Sequence, residues 1–412
     1  MDYISTIWLA CILILAVGVV LYSVPKLIEL AKLKKLFDDY RDERKIHEGF
    51  VPNIGGAALV IAFLVSYSLH PASAMLAGYE SLVASIIILL AVGLKDDLLV
   101  IAPYKKFLGE ILIATILVFG AGLTITSFGG VFGVFELPSA VSIIISYGVI
   151  ILMINAMNLI DGIDGLAASV TALAALLFGA WFFMAGHYSL FVLSMILAVT
   201  YGTFLVYNWS PAKVFMGDTG SLLSGFLLSF LAIHFLNTGI YGEQIVSWQA
   251  DVPVILVAVL IIPIYDTLRV FTLRLCNKKS PFEADDNHVH HHLLRHGFNH
   301  AQSTLLLIAI NLFIVSSAIF ASQFLSVNGV LLMVIALALV LLPTAHVKRR
   351  AIEAVTSDKL QQLLLDYGVK LSYEENHREG PGSKNHSDHT NRNAGETSEK
   401  EFLEENLNMP VK

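Results

Sequence analysis

Residues 139–185 read SAVSIIISYGVIILMINAMNLIDGIDGLAASVTALAALLFGAWFFMA. Two apolar runs, 139–157 and 166–185, flank the polar decapeptide Asn158-Leu159-Ile160-Asp161-Gly162-Ile163-Asp164-Gly165-Leu166-Ala167. Each run approaches the roughly 20 residues with which an α-helix crosses a bilayer. Between them two carboxylates stand three residues apart, each followed by glycine. A charged side chain at a membrane edge is costly unless it is solvated, paired or bound to a cation, so such groups mark function by default. The glycines let the backbone turn tightly and approach a ligand closely. Both aspartates would also serve as caps for the helix that follows. Two spans joined by an acidic loop set the fold class: all-α, polytopic and membrane-embedded.

The rest of the chain agrees. Of 412 residues, 56% are hydrophobic and 14% charged, and the mean hydropathy is +0.71. A soluble domain carries about 25% charge. The formal net charge of −7 owes much to acid in the last forty residues. Cys11 and Cys276 form no CxxC pair, so neither a disulfide framework nor a zinc site is expected. No basic segment precedes the Ile7–Leu21 run and no Ala-x-Ala site follows it, so it reads as an uncleaved first span.

Apolar windows fall at 3–24, 54–70, 81–94, 107–127, 139–157, 166–185, 188–207, 219–238, 251–275, 302–322 and 326–343. That predicts about eleven transmembrane helices, each satisfying its own backbone hydrogen bonds as lipid requires. Lys and Arg crowd the connection after the first span and recur in alternate connections, ending in Lys348-Arg349-Arg350. The connections near 71–80, 128–138, 186–187, 239–250 and 323–325 contain neither residue. This asymmetry places the N-terminus outside and the C-terminus in the cytoplasm. Residues 1–345 form the transmembrane domain. Helical spacing of Ala351, Val355, Leu360, Leu363 and Leu364 predicts a cytoplasmic amphipathic helix over 346–373, and residues 374–412 have the composition of a disordered polar tail.

Under this topology the unusual polar residues gather on the cytoplasmic face. Asp96 and Asp97 end the third span; Asn158, Asp161 and Asp164 join the fifth and sixth; Asn208, Lys213 and Asp218 join the seventh and eighth. The run His288-Val289-His290-His291-His292 joins the ninth and tenth, and Lys45, His47 and the Pro52…Gly55-Gly56 turn precede the second. Carboxylates at this density become tolerable around a divalent cation, and Mg²⁺ typically takes one or two protein carboxylates plus substrate phosphates. Nearby lysines, Lys45 and Lys106 among them, would hold phosphate as point charges. The Gly217-Asp218-Thr219-Gly220-Ser221 turn opens the eighth helix, whose free N–H groups favour anions. The site should therefore process a phosphorylated substrate at the inner membrane surface. The imidazoles read as substrate contacts in preference to a zinc or nickel sink.

Asp96-Asp97, Asn158-Leu-Ile-Asp161-Gly-Ile-Asp164-Gly-Leu-Ala, Val214-Phe-Met-Gly-Asp218-Thr-Gly-Ser and His288-Val-His290-His291 occur in that order at those loops. Together they resemble the polyprenyl-phosphate N-acetylhexosamine-1-phosphate transferases, glycosyltransferase family 4, over about residues 1–345. The resemblance implies an eleven-span enzyme of the bacterial cytoplasmic membrane, commonly a homodimer, that uses Mg²⁺, with Mn²⁺ as the alternative cation. It would move a sugar-1-phosphate from a UDP-sugar to undecaprenyl phosphate, releasing UMP. Its partners are those two substrates and the bilayer, with no nucleic acid. Carried over, Asp218 would be the principal metal ligand and Asp97 its partner, with Asp96 the candidate base or nucleophile. Asp161, Asp164 and Asn208 would line the uridine and diphosphate pocket with Asn158, Phe215 would lie near the uracil, and His288, His290 and His291 would face the sugar-phosphate. A phosphate monoester dianion needs only positioning to attack directly; a covalent aspartyl intermediate is the alternative. The His-x-His-His pattern followed by Leu293-Leu294-Arg295 resembles the branch that uses UDP-N-acetylglucosamine, feeding a surface polysaccharide. The muramoyl-pentapeptide branch is the near alternative. An ion-coupled transporter is the distant one, with Asp266, one turn from Arg269, as its sole deep carboxylate.

Overall fold

The most buried of the candidate spans lies at the centre of the molecule. The computed structural model describes residues 3–34, 51–99, 101–243, 245–246, 249–278 and 287–342, so Lys45, His47, the helix expected over 346–373 and the tail at 374–412 lie outside the described residues. In chain order the α-helices are α1 (Tyr3–Lys34), α2 (Gly55–Leu69), α3 (Tyr79–Leu99), α4 (Pro103–Thr115), α5 (Ser139–Ile160), α6 (Leu166–Met184), α7 (Tyr188–Asn208), α8 (Gly217–Tyr241), α9 (Val252–Val259), α10 (Ile261–Cys276), α11 (Val289–Arg295), α12 (His300–Ala321) and α13 (Val327–Leu341). Of the most apolar stretch of α8, 94% is buried, against 17% for α1, which puts α8 in the middle and α1 on the rim.

Close backbone approach explains that position. A side chain on Gly56 of α2 would strike Gly220, one on Gly93 of α3 would strike Thr219, and one on Gly225 would strike Met153 and Ile154 of α5. Small residues at helix crossings are how membrane helices gain packing energy where lipid offers no hydrophobic drive. The buried hydroxyls of Ser221, Ser224 and Ser229 bond back to carbonyls of α8 itself, so the helix keeps its polar groups satisfied.

Every apolar window contains a helix, with differences at the edges. Six helices are long and apolar enough to span a membrane. The window 251–275 was expected as one span and is a bent pair, α9 and α10, meeting at 76°. Pro263 has no N–H for the carbonyl of Val259, and the chain breaks at Leu260 (φ −102°, ψ 18°). Counting the pair once gives seven spans by length and composition; α2 and α13, at 15 residues each, are shorter apolar helices. The window 107–127 starts earlier, with Pro103 at the first turn of α4. It stops earlier too, in a π-turn over Ile116–Gly120. The chain is a multi-pass, all-α membrane protein.

Candidate active site

Asp96 and Asp97 end α3 and point about 100° apart around its axis, as neighbours on a helix must. Asp97 faces the start of α8. Its Oδ1 accepts from the Asp218 N–H (2.6 Å), and its Oδ2 accepts from the Thr219 N–H (3.1 Å) and the Thr219 hydroxyl (2.6 Å). No side chain of α8's own N-terminus caps it, so a carboxylate from another helix supplies the cap. Gly217 makes room: its φ is +70°, and a Cβ there would lie 2.7 Å from Asp97 Oδ1. The N–H groups expected to be free for a substrate anion are thus already holding Asp97.

Asp96 faces the other way. Its Oδ1 accepts from the Ile101 N–H (2.8 Å), and its Oδ2 lies 3.3 Å from Lys106 Nζ. The same ammonium is 2.5 Å from Asp218 Oδ2, and the Asn158 amide donates to Asp218 Oδ1 at 2.7 Å. Asn158 also donates to the Ser221 hydroxyl at 2.9 Å. Asp218 is therefore held from α3, α4, α5 and its own helix at once, with the Asp96 carboxylate against it. Side chains from three other helices meet on this one carboxylate.

The loop between α5 and α6 divides its work. Asp164 Oδ2 accepts from the Ala212 N–H (3.2 Å) and Oδ1 lies 3.3 Å from His300 Nδ1, while the Thr304 hydroxyl donates to the Asp164 carbonyl. Burial works against the charge of Asp164, but these contacts prevail and hold its carboxyl below the ordinary carboxylate range. Asp161 is half-buried, and among the described residues nothing hydrogen-bonds its carboxyl. Burial, with Asp218, Asp97 and Asp164 nearby, pushes it well above that range. Asp164 is the tie that joins the loops; Asp161 is the carboxyl left open. Asn208 is a second tie: it is buried, its Oδ1 accepts from Gly165 N–H and its amide donates to the Val214 carbonyl. Phe215 is 41% exposed beside this junction, its backbone pairing with Pro52 and Gly55.

The histidines form α11, a short helix laid over the same loop. Asp266 starts it: Oδ1 accepts from the Val289 N–H (2.8 Å) and Oδ2 lies 2.9 Å from His288 Nδ1, with Arg269 Nη1 3.5 Å from Oδ1. The carboxylate on which the transporter reading rested is thus committed to placing His288, and it is not the sole deep one: Glu110 on α4 is buried as well. His290 stacks on His288 (centroids 5.6 Å, planes 8° apart) and sits so close to Gly162 that any side chain there would strike its Nε2. His291 is half-buried beside it, the ring centroids 4.3 Å apart. His292 is buried against Arg295, and its pKa is pushed down to about 4 by burial and the flanking cations.

Of the residues expected at the site, Asp96, Lys106, Asn158 and Asp218 meet directly, and Asp97, Asp164 and Asn208 secure the frame. His288, His290 and His291 cover the loop that carries Asp161. Ser221, His300, Asp266 and the pair Glu110–Asn155 belong to this ensemble and were not singled out for it. Glu110 and Asn155 had a signal: a carboxylate and an amide inside apolar windows.

Whether this ensemble suits Mg²⁺ can be judged from its donors. Asp96 and Asp218 press two carboxylates together, Lys106 offsets one charge, and Asp161 adds another in electrostatic reach. Hard oxygen donors of this kind fit an ion that completes its shell with water and phosphate. Among the described residues no three His, Cys, Asp or Glu side chains converge as a metal cage, so the protein would supply only part of a shell.

A helical bundle with carboxylates, a lysine and imidazoles gathered at one end defines a class, the membrane-embedded enzymes of phosphorylated substrates. Comparison with known proteins narrows it. The family "Glycosyl transferase family 4" matches residues 79–236. A "Probable undecaprenyl-phosphate N-acetylglucosaminyl 1-phosphate transferase" of Bacillus subtilis is 31% identical over 290 residues, covering 68% of this chain and 76% of that protein. A decaprenyl-phosphate N-acetylglucosaminephosphotransferase of Mycolicibacterium smegmatis is 33% identical over 332 residues, 74% of this chain and 81% of that one. An undecaprenyl-phosphate alpha-N-acetylglucosaminyl 1-phosphate transferase of Yersinia pestis is 28% identical over 278 residues, 65% and 72% respectively. The chain belongs to glycosyl transferase family 4.

Proposed function

We propose that this protein transfers N-acetylglucosamine-1-phosphate from UDP-N-acetylglucosamine to undecaprenyl phosphate, giving undecaprenyl-diphosphate-N-acetylglucosamine and UMP at the cytoplasmic face of the membrane. The observation that carries the reading is Asp218 held by Lys106, Asn158 and the Asp97 cap against Asp96. The names of relatives across most of this chain support the sugar; the acceptor in the mycobacterial ones is decaprenyl phosphate. A phosphate oxygen of the acceptor forms the new P–O bond at the sugar-bearing phosphorus as the bond to UMP breaks. Lys106 would attract the phosphates, Asp161 and the α11 imidazoles would meet the donor, and Phe215 would offer an aromatic face to the base. Asp218 would hold Mg²⁺ with Asp97, which would give up part of its cap to do so. Bound there, the ion would neutralise the leaving group and orient the diphosphate.

The test is purified protein with undecaprenyl phosphate, Mg²⁺ and a panel of radiolabelled UDP-sugars. Lipid-linked product and UMP are expected with UDP-N-acetylglucosamine. Product from no UDP-sugar ends the reading, and product from the UDP-muramoyl-pentapeptide alone moves the chain to the other branch. Asp218→Asn should abolish turnover while the protein stays folded; near-normal turnover at saturating Mg²⁺ would remove Asp218 from the cation site.

A further inference from the structure

We propose that Glu110 is a positioning residue for the cation site, acting through Lys106 and Asn155; this rests on the reading of Asp218 as that site. Glu110 is 4% exposed on α4. Its Oε2 accepts from the Asn155 amide at 2.6 Å, and the same amide donates to the Ile151 carbonyl at 2.9 Å. Glu110 lies one helical turn beyond Lys106, and Asn155 one turn before Asn158, so each pair shares a helix face. Two rungs result. The upper one, Lys106 with Asn158, holds Asp218; the lower one, Glu110 with Asn155, lies directly beneath.

A buried carboxylate is expensive, and an apolar residue would pack α4 on α5 without that cost. Among the described residues Glu110 has no ion pair at contact distance, yet it lies within electrostatic reach of both Lys106 and Asp218. That placement supplies two effects of one sign. In its ionised form Glu110 puts negative charge beneath Asp218 and attracts a cation to it. A cation on Asp218 would compete with the Lys106 ammonium, and Glu110 would offer that ammonium a second counter-charge one turn away. Glu110 therefore strengthens cation binding without touching the cation.

The test uses Mg²⁺ alone, titrated into full-length protein in detergent while the unfolding temperature is followed. Binding to the folded state raises that temperature saturably, and the midpoint of the rise reads affinity. Glu110→Gln keeps the size and an acceptor for Asn155 but removes the charge. It should move the midpoint to about five-fold higher Mg²⁺ or more, the scale of one close charge coupling. Glu110→Asp keeps the charge and should stay within about two-fold of wild type, since a charge one bond shorter still lies beneath Asp218. A Gln variant with a lowered starting temperature and an unmoved midpoint would make Glu110 merely structural and overturn the proposal, as would equal shifts for Gln and Asp. If Gln does not fold, the Asp variant and Asn155→Ala decide by the same midpoint. No Mg²⁺-dependent rise in wild type would overturn the cation site itself, and this inference with it.

Discussion

His290 is 1% exposed, packs its ring on Gly162 and, among the described residues, leaves Nε2 without a hydrogen-bond partner. Burial, helped by His291, pushes its pKa down to about 3, from an ordinary value near 6.5. The imidazole is neutral in the folded protein, and unfolding lets it take a proton. Between about pH 3 and 6.5 the unfolded state binds more protons, so stability rises with pH across that window. Lowering the pH from 7 to 5 should cost about 2 kcal/mol at this one residue. The unfolding temperature should fall accordingly, and His290→Gln should flatten that part of the slope. An equal slope in the variant would assign the acid sensitivity elsewhere. The histidine run was visible in the sequence, but its division of labour was not. Which ring stacks, which meets Asp266 and which lies on Gly162 depends on a helix of seven residues and on a partner more than a hundred residues away.

At the scale of the element, the start of α8 shows where sequence reading stops. The motif Gly217-Asp218-Thr219-Gly220-Ser221 announces a helix N-terminus, and Asp96-Asp97 announces acid at the end of a span. Nothing in either says that Asp97 caps α8 and Asp96 turns to Lys106, because that follows from the rotational phase of α3 against its neighbour. Glu110 and Asn155 are hard to read for a similar reason: one turn inside a span, they interrupt apolar windows without ending them. The geometry makes Gly217 decisive. Gly217→Ala must adopt φ +70° and put its Cβ 2.7 Å from Asp97 Oδ1 and 2.9 Å from Asn53 Oδ1. The left-handed backbone alone costs about 1–2 kcal/mol, and the cap is lost as well, worth about 1 kcal/mol more. The variant should unfold several degrees earlier and turn over at least about ten-fold more slowly, since the cap places Asp218. Asp97→Asn, which retains one acceptor oxygen, should fall between it and wild type. A Gly217→Ala protein as stable and active as wild type would show that the cap does not govern the site.

For the whole molecule, the apolar windows were legible because lipid tolerates little besides helices, and eleven windows all contain helix. Their lengths were less legible: Pro263 turned one expected span into a bent pair, while Pro253 sits in the first turn of α9. Orientation is an expectation that rests on the alternation of Lys and Arg, which would put the Asp218 end in the cytoplasm. Two positions at opposite ends of the bundle can test it. Cys276 closes α10 and is exposed; Gln323, between α12 and α13, is exposed on a connection without Lys or Arg. In a Cys11→Ser background, Gln323→Cys should react with a membrane-impermeant maleimide on intact cells. Cys276 should react only once the membrane is permeabilised. The opposite pattern would put the carboxylates outside, away from any nucleotide-sugar, and the proposed reaction would lose its donor.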